Sequence, residues 1–382
     1  MTGGVGVLGR GLVGQAERTV RRILESADVQ VGGGRPHDIE VHDSSFYLRV
    51  LRDGRLGLGE SYVDGQWDTR ALDELTARLI RAGVKRPLPS WRAAIHLAAA
   101  RVRNLQSVIR ARRSVADHYD IGNDLYQAML GQTLAYTCAY WSWAIDLDEA
   151  QLAKFDLVCR KLGLRPGMKV LELGCGWGTF ARHASSNYGV HVSGYTLSRE
   201  QISLGRQLCR GLPVELHLAD YRTARGSYDA VVSVGLMEHV GPSNHRRYME
   251  VVDRCLAPGG IAFIHTIGSN RSQVLIDAWF HRYVFPNAAI PSLAQLAAAM
   301  EGTFVAEDVH NIGPHYDRTL MAWAANFERA WPQLRARYGG RFRRLWRYYL
   351  LTSAGAFRAR FMQLYQIVMT RAGTRQPECR LG

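Results

Sequence analysis

A short apolar run leads into three closely spaced glycines in the stretch Val170-Leu171-Glu172-Leu173-Gly174-Cys175-Gly176-Trp177-Gly178. Glycine tolerates positive φ and lets the backbone pass close to a ligand. In open α/β sheets, ligands bind at such turns, just beyond the carboxyl end of a strand. The spacing is G-x-G-x-G rather than G-x-G-x-x-G, so a dinucleotide pyrophosphate is not favoured. The stretch therefore predicts the first strand and the ligand-binding turn of an α/β fold.

Four further apolar runs follow this strand, with helical patterns between them. The predicted strands are 169–173, 191–195, 214–219, 230–234 and 261–265, and the predicted helices are 179–188, 198–210 and 245–255. Short runs of aliphatic and β-branched residues are typical of parallel strands that are buried on both faces. The alternation of strands and helices predicts a Rossmann-like α/β domain with a mostly parallel sheet.

The sequence before this domain predicts a small α+β unit at residues 1–90. Helices are predicted at 16–27 and 72–82, and strands at 39–41 and 45–49. Asp53-Gly54 lies between two alternating runs and therefore predicts the turn of a β-hairpin. Residues 91–116 are interpreted as a basic helical linker, and 117–382 as the α/β domain.

The chain has 382 residues and a strongly basic balance, with 48 Lys and Arg against 34 Asp and Glu, which gives a net charge of +14. An apolar fraction of 47% is enough to build a full core, and this excludes disorder as the overall state. Two tracts, 75–116 and 329–377, contain ten and eleven basic residues, nearly all Arg, and no acid. Such tracts predict a polyanionic partner, either nucleic acid or an anionic membrane surface.

Membrane spans, secretion and metal binding find no support in the sequence. No stretch approaches the ~18 uncharged apolar residues of a transmembrane helix. The N-terminal residues lack the features of a signal peptide. The six cysteines show no C-x-x-C pair, which argues against a zinc site and against a disulfide framework. We therefore expect a cytoplasmic protein without a metal.

Several motifs occur together, in one order, along the chain. They are His118-Tyr119-Asp120, Tyr136-Thr137-Cys138-Ala139-Tyr140-Trp141, the glycine turn, Tyr195-Thr196-Leu197-Ser198, Met237-Glu238-His239-Val240-Gly241, His265-Thr266-Ile267-Gly268, Tyr283-Val284-Phe285-Pro286 and His315-Tyr316-Asp317. This set resembles the cyclopropane-fatty-acyl-phospholipid synthases, a family of class I S-adenosylmethionine-dependent methyltransferases. The similarity covers nearly the whole chain, including residues 59–67. It implies a methyltransferase catalytic domain at 117–382 and a lipid-associated accessory domain at 1–90.

The resemblance implies that S-adenosylmethionine is the co-substrate. The glycine turn would meet its methionine part, and the residues after the third strand would flank its adenine. In most of the class an acid at the end of the second strand binds the ribose, and here Thr196 and Gln201 would take that role. The cofactor-binding residues assigned in this way are Tyr136, Thr137, Glu172, Gly174, Gly176, Gly178, Thr196, Gln201, Asp220, Tyr221 and Arg222.

The resemblance also implies a bound bicarbonate as the catalytic base. Its ligands would be the backbones of Cys138 and Ile267 and the side chains of Glu238, His265 and Tyr316. A small anion needs several donors, and a carboxylate can orient it by accepting a hydrogen bond from its hydroxyl. Some members carry a cysteine where this chain has serine, within Thr352-Ser353-Ala354-Gly355. The bicarbonate route needs no covalent nucleophile, so we expect that cysteine to be dispensable.

The predicted reaction transfers a methylene from S-adenosylmethionine to the cis double bond of an unsaturated acyl chain and so forms a cyclopropane ring. An isolated alkene is a weak nucleophile, so the sulfonium methyl must be held in line with it. The resulting cation requires a dry pocket walled by aromatic rings.

Three alternatives stay open. A related enzyme could give a methyl-branched or hydroxylated chain, but the presence of Glu238 favours the ring. A nucleic-acid methyltransferase is compatible with the charge, although Gly235-Leu236-Met237-Glu238 stands where base methyltransferases often have Asn/Asp-Pro-Pro-Tyr/Phe. The third alternative is a non-catalytic lipid-surface protein.

The resemblance favours a membrane over nucleic acid as the polyanion. A substrate that is the acyl chain of a phospholipid requires peripheral docking on an anionic bilayer, at the inner face of the membrane. We expect the tract 75–116, with Trp91, to contribute to that docking, and the role of 329–377 is left open. A homodimer is also expected, because two-domain members of the family tend to dimerise.

Overall fold

The structure is a computed structural model that describes residues 4–83 and 122–381. The linker predicted at 91–116, Trp91 and most of the basic tract 75–116 lie outside the described residues. Before this gap the chain forms a small N-terminal unit, and after it an α/β domain against which that unit packs.

The N-terminal unit is mostly helical. Its elements are α1 (Gly4–Glu25), β1 (Glu40–Val41), α2 (Ser45–Val63), β2 (Trp67–Asp68) and α3 (Leu72–Arg81). β1 and β2 pair as a minimal antiparallel sheet. The predicted helices at 16–27 and 72–82, and the predicted strand at 39–41, are found close to their expected positions.

The predicted hairpin at Asp53-Gly54 and the predicted strand at 45–49 are wrong. This segment is helix α2, which bends at Gly54, where φ is 59°. Phe46 is buried, and Val50 packs against the same core one helical turn later. Gly54 does break the regular backbone, but it separates two helical segments rather than two strands. Burial of the helical stripe outweighs the strand propensity of the flanking residues, because tertiary packing overrides propensities of less than about 1 kcal/mol per residue.

The α/β domain is built on a sheet of seven strands within the described residues. They are β3 (Lys169–Leu173), β4 (His191–Thr196), β5 (Val214–Leu218), β6 (Tyr228–Val234), β7 (Leu256–Ser269), β8 (Val305–Asn311) and β9 (Met362–Thr370). Their order across the sheet is β5-β4-β3-β6-β7-β9-β8. The first five pair in parallel, and β9 is antiparallel to both β7 and β8. The predicted Rossmann-like α/β fold is therefore confirmed, and β8 and β9 extend the sheet beyond the five predicted strands.

Helices cover both faces of this sheet. They are α4 (Asn123–Leu130), α5 (Leu147–Lys161), α6 (Thr179–Tyr188), α7 (Arg199–Leu208), α8 (Met237–Val240), α9 (His245–Cys255), α10 (Ala278–Tyr283), α11 (Leu293–Met300) and α12 (Gly313–Arg358). On one face Val170 shares a core with Phe155 of α5 and Ala181 of α6. On the other face Leu171 shares a core with Val252 of α9. Burial on both faces explains why β3 reads as a continuous apolar run.

Helix α12 joins the N-terminal unit to the α/β domain. It breaks at Gly339, where φ is 74°, and the part after the break lies against α2 and α3. The Arg344 guanidinium donates to the carbonyl oxygens of Tyr62 at 2.6 Å and Trp67 at 2.9 Å. It also lies 4.3 Å from the centre of the Tyr62 ring. One side chain of α12 thus satisfies two backbone acceptors of the N-terminal unit.

The basic tract 329–377 is largely engaged in ion pairs within the protein. Its arginines pair with carboxylates supplied by both the N-terminal unit and the α/β domain. The paired arginines are Arg337, Arg341, Arg343, Arg344, Arg347, Arg358 and Arg371. The absence of acids in this part of the sequence therefore reflects partners that are distant in sequence.

Two further observations concern the chain as a whole. Among the residues that the structure describes, no helix has the length and apolar character required to cross a membrane. The six cysteines all lie in the described ranges, and each is buried and unpaired.

Candidate functional site

A cavity opens at the carboxyl ends of the parallel strands β3, β4 and β6. Eight residues assigned to the cofactor line it, namely Tyr136, Thr137, Glu172, Gly174, Gly176, Thr196, Gln201 and Tyr221. Three assigned residues are not part of its wall, namely Gly178, Asp220 and Arg222. The structure thus brings together residues that are up to 85 positions apart in the sequence.

The glycine turn forms the part of the wall beyond β3. Gly174 has φ of 81°, and a Cβ at this position would lie 3.1 Å from Leu236. The amides of Gly174 and Cys175 both donate to the carbonyl oxygen of Tyr195, each at 2.9 Å, and this fixes the turn against the end of β4. Gly178 packs instead against Cys209 and begins α6. Its role is in the packing of the turn rather than in the cavity wall.

The end of β4 presents a hydroxyl and an amide in place of a carboxylate. Thr196 Oγ1 donates to Gln201 Oε1 at 2.9 Å, and both side chains are buried. Ser198 accepts a hydrogen bond from the amide of Gln201 and so caps α7. The cap and the cavity-facing pair therefore coexist in one turn.

The three residues that follow β5, namely Asp220, Tyr221 and Arg222, have different roles in the structure. The Asp220 carboxylate accepts from the Arg222 amide at 2.9 Å and pairs with the Arg222 guanidinium at 3.1 Å. That guanidinium lies 5.0 Å from the centre of the Tyr221 ring. The carboxylate is thus occupied in stabilising the turn, and Tyr221 is the member of the three that reaches the cavity wall.

Glu172 is buried at the base of the cavity, and its Oε2 atom has no hydrogen-bond partner among the described residues. Burial raises its pKa, and the nearby Lys154 ammonium opposes that rise. Lys154 is also fully buried, and its Nζ donates to Thr137 Oγ1 at 2.9 Å. Burial lowers the pKa of Lys154.

Lys154 and Gln151 were not among the residues assigned from the sequence. Both occupy the buried stripe of α5 together with Ala150 and Val158. A lysine and a glutamine at core positions of an amphipathic helix are the signal that could have singled them out. His239 of α8 was likewise not assigned to the site from the sequence. It lines the cavity, and burial lowers its pKa to about 4.

The residues assigned to the anion lie beside this cavity. Glu238 is on α8, between the cavity-lining residues Leu236 and His239. Its Oε1 accepts from the Ile267 amide at 2.6 Å, whereas its Oε2 is buried without a partner in the described structure. Burial raises the pKa of Glu238 to about 7.

His265 presents a second polar atom without a partner. It lies at the end of the parallel part of β7, and its Nε2 is buried with no hydrogen-bond partner in the described ranges. Its Nδ1 is 3.4 Å from Gln366 Nε2. Burial lowers its pKa well below the usual range, so the imidazole is neutral and one ring nitrogen can donate.

Cys138 lies next to Ala139, and Tyr316 lies on α12. A hydrogen bond to Thr319 of α12 connects these two segments. Thr319 lies one turn after Tyr316 on α12, and its Oγ1 accepts from the Ala139 amide at 3.1 Å. Tyr316 itself packs edge-on against Phe357, with ring centres 4.6 Å apart. Burial raises the pKa of the Cys138 thiol, which disfavours the thiolate. The cysteine is thus unsuited to act as a nucleophile.

Aromatic rings form a continuous group next to the cavity. The Tyr136 and Tyr349 hydroxyls are 2.8 Å apart, and the Tyr136 ring lies 5.3 Å from Trp323. Tyr349 continues the group through Phe285, with ring centres 5.6 Å apart. Trp143 is 66% exposed and contacts Tyr140, with ring centres 5.5 Å apart.

The comparisons with known proteins give one consistent answer. The family model described as mycolic acid cyclopropane synthetase matches residues 106–367. The cyclopropane-fatty-acyl-phospholipid synthase of Escherichia coli (strain K12) is 46% identical over 355 residues, which is 93% of each chain. The tuberculostearic acid methyltransferase UfaA1 of Mycobacterium tuberculosis is 32% identical and covers 92% of this chain and 88% of its own.

Solved structures agree with the fold. The cyclopropane synthase MmaA2 from Mycobacterium tuberculosis superposes with a TM-score of 0.64 at 27% identity, over 70% of this chain and 99% of its own. The mycolic acid cyclopropane synthase CmaA1, complexed with SAH and CTAB, gives a TM-score of 0.63 at 30% identity, over 68% of this chain and 97% of its own. The resemblance seen in the motifs and the predicted class of methyltransferase enzyme are thereby confirmed. The chain belongs to the mycolic acid cyclopropane synthetase family.

Proposed function

We propose that this enzyme transfers a methylene from S-adenosylmethionine to the cis double bond of an unsaturated fatty acyl chain in a phospholipid and forms a cyclopropane ring. The observation that carries the proposal is the position of Glu238 and His265 next to the glycine-turn cavity, each with a buried polar atom that lacks a partner in the described structure. The name of the relative from Escherichia coli, which is 46% identical, supports the same reaction.

The cavity fits S-adenosylmethionine as a co-substrate. The unpartnered carboxylate of Glu172 suits the ammonium group of the methionine part. The Thr196–Gln201 pair offers a hydroxyl and an amide to the ribose, and Tyr221 offers a flat apolar face to the adenine. Asp220 and Arg222 contribute to this fit through the turn that carries Tyr221.

In the proposed reaction, the alkene attacks the sulfonium methyl, a carbon–carbon bond forms, and the methyl–sulfur bond breaks to leave S-adenosylhomocysteine. Positive charge then develops on the neighbouring acyl carbon. Loss of one proton from the new methyl group lets its electron pair close the three-membered ring. The rings of Tyr136, Trp323 and Tyr349 exclude water and stabilise positive charge through their faces.

The residues beside the cavity fit a bicarbonate ion. His265 Nε2 can donate to it, and Glu238 Oε2 can accept from its hydroxyl, which satisfies both buried atoms. The backbones of Cys138 and Ile267 and the hydroxyl of Tyr316 complete the proposed set. When bound, bicarbonate supplies the base for the proton of the new methyl group.

The experiment is expression in a host whose lipids lack cyclopropane rings, followed by fatty-acid analysis with mass spectrometry. We expect acyl chains that have gained one methylene and that resist hydrogenation of the former double bond. A methyl-branched or hydroxylated chain would replace this proposal by the related reaction. The Glu238→Gln variant, in the same host, serves as the inactive control.

The proposal includes peripheral binding to an anionic bilayer at the cytoplasmic face and assembly as a homodimer. Seven arginines of the tract 329–377 pair within the protein. In the tract 75–116, Arg78 also pairs, with Asp28 and Glu74. We assign the contact with lipid headgroups to the remaining basic residues of 75–116 on the basis of the sequence. A phospholipid substrate requires such contact, because the acyl chain must leave the bilayer to enter the site. Flotation with anionic vesicles and sedimentation equilibrium test the two statements separately.

A further inference from the structure

Helix α5 holds one wall of the cofactor cavity from behind. The Gln151 side chain donates from Nε2 to the carbonyl oxygens of Thr137 at 2.9 Å and Ala135 at 3.3 Å. One turn later, Lys154 Nζ donates to the Thr137 hydroxyl at 2.9 Å. Both side chains are fully buried. The wall segment is therefore fixed at its backbone by an amide and at its side chain by an ammonium group.

The fixed segment in turn touches the proposed anion site. A Cβ at Gly235 would lie 2.8 Å from Thr137 Cγ2, so the threonine methyl packs directly on the Gly235 backbone. The Gly235 amide donates to the carbonyl oxygen of His265 at 2.8 Å. A short chain of contacts thus runs from Lys154 through Thr137 and Gly235 to His265.

The charge of Lys154 is unusual for its position. In the described residues no carboxylate lies within ion-pair distance of its ammonium, which sits 3.9 Å from the centre of the Phe155 ring. Lys161, two turns further along α5, is equally buried but pairs with Asp308 at 2.5 Å. Fully buried lysines are rare unless they are paired, because an isolated buried charge is costly. A bound anion would give Lys154 the counter-charge that Lys161 already has.

We propose that Lys154 is a positioning residue whose ammonium fixes Thr137 in the cavity wall and supplies the positive charge that draws bicarbonate to the Glu238–His265 pair. This inference rests on the proposed function. The charged groups around Lys154 are Glu172 on β3 and, as titratable neighbours, Cys138, His183 and His265. Burial lowers the pKa of Lys154 to about 7, whereas Glu172 favours the ammonium form and a bicarbonate ion would favour it further.

The test compares Lys154→Met with Lys161→Met, a matched loss of a buried lysine on the same helix. Bicarbonate is added to carbon dioxide-depleted protein at constant ionic strength, and the rise in the unfolding midpoint is measured at each concentration. We expect Lys154→Met to need about tenfold more bicarbonate to reach half of the maximal rise in the unfolding midpoint. The reason is that a buried positive charge near the anion contributes strongly to its binding. We expect Lys161→Met to unfold at a lower temperature with an unchanged bicarbonate requirement.

Two further variants separate the charge from the hydrogen bond. Lys154→Gln keeps a donor for Thr137 and should show the same raised bicarbonate requirement, and it decides the question if Lys154→Met does not fold. Thr137→Val keeps the charge and should leave that requirement within about threefold of the wild type. Calorimetry with S-adenosylhomocysteine should give affinities within about threefold of the wild type in the three lysine variants, because neither Lys154 nor Lys161 lines the cavity.

Equal bicarbonate requirements in the wild type and Lys154→Gln would overturn the inference. An equal increase in Lys161→Met would do so as well, because loss of stability would then explain the effect. Failure of the wild type to form cyclopropane in vesicles of cis-unsaturated phospholipid would instead reject the proposed function. The thermal titration reports on anion binding without turnover, so the two failures are distinguishable.

Discussion

Glu238 illustrates how a single carboxylate can be both anchored and available. One oxygen is held by the Ile267 amide, and the other is buried without a partner in the described structure. We expect Glu238→Gln to keep this anchor geometry but to lower the rate of ring formation at least about 100-fold, since it removes the acceptor for the hydroxyl of the base. The measurement is ring formation on vesicles of cis-unsaturated phospholipid. Unchanged binding of S-adenosylhomocysteine would show that the variant is folded, and a rate near that of the wild type would contradict the assignment.

Ser353, in contrast to Glu238, is expected to be dispensable for ring formation. It lies on α12, in the segment where some relatives carry a cysteine, and the proposed reaction forms no covalent bond to the protein. We expect Ser353→Ala to keep ring formation within about twofold of the wild type, which is the range of substitutions that disturb no buried network. The same vesicle assay measures it. Complete loss of activity in this variant would reject the bicarbonate route in favour of a nucleophile on α12.

At the scale of elements, the contact between α2 and α10 depends on a glycine. A Cβ at Gly59 would lie 2.4 Å from Trp279, which is buried between the N-terminal unit and Tyr348 of α12. We expect Gly59→Ala to lower the free energy of unfolding by about 1–3 kcal/mol, because the fully packed indole cannot move away. Gly14→Ala in α1 is the matched control, since its new methyl would meet nothing closer than 3.8 Å. Chemical denaturation should show that the control is neutral or stabilised by up to about 1 kcal/mol, and equal losses would contradict the packing argument.

The elements also show what the sequence can and cannot predict. The parallel strands were predictable because burial on both faces leaves a continuous apolar run, as in β3. The hairpin prediction failed around Asp53-Gly54, because the residues on both sides are helical and Phe46 is buried against residues far away in sequence, although Gly54 does break the helix. Lys154 escaped notice for the same reason, since its acceptor, Thr137, is 17 positions earlier. Motif residues at strand ends could be assigned, whereas the residues that hold them depend on contacts that only the fold reveals.

For the whole molecule, buried titratable groups set the response to pH. Burial lowers the pKa of His239 and His245 from 6.5 to about 4, so the unfolded chain binds protons that the folded protein does not bind in this window. The free energy of unfolding therefore falls as the pH drops from about 6.5 to about 4. Glu238 acts in the opposite sense, because its pKa is raised to about 7 and the folded protein retains a proton that the unfolded chain loses.

His245 allows the histidine contribution to be measured away from the proposed site. It begins α9 and is buried, with Nε2 unpartnered among the described residues. We expect the wild type to lose about 1–2 kcal/mol more stability than His245→Gln between pH 7 and pH 5. Urea denaturation at the two pH values measures the difference. Parallel pH dependence in the two proteins would show that His245 is protonated equally in the folded and unfolded states.

The proposed binding to an anionic bilayer makes a further prediction at this scale, because the net charge of +14 includes two basic tracts that could contact lipid headgroups. Most arginines of 329–377 pair with carboxylates inside the protein, whereas Arg329, Arg335 and Arg375 have no ion pair among the described residues. These three therefore provide a control for the effect of positive charge outside the tract 75–116. We expect the triple change of Arg110, Arg112 and Arg113 to Gln to weaken binding to anionic vesicles by about two orders of magnitude, at about 1 kcal/mol for each arginine near the surface. The matched control replaces Arg329, Arg335 and Arg375 with Gln, which removes the same charge from the other tract.

Cosedimentation with vesicles across a range of salt concentrations measures the affinity of both triple variants and of the wild type. The wild-type affinity should fall steeply as salt shortens the Debye length to about 8 Å at physiological ionic strength. Equal losses in the two triple variants would mean that net charge, rather than the tract 75–116, holds the enzyme on the bilayer.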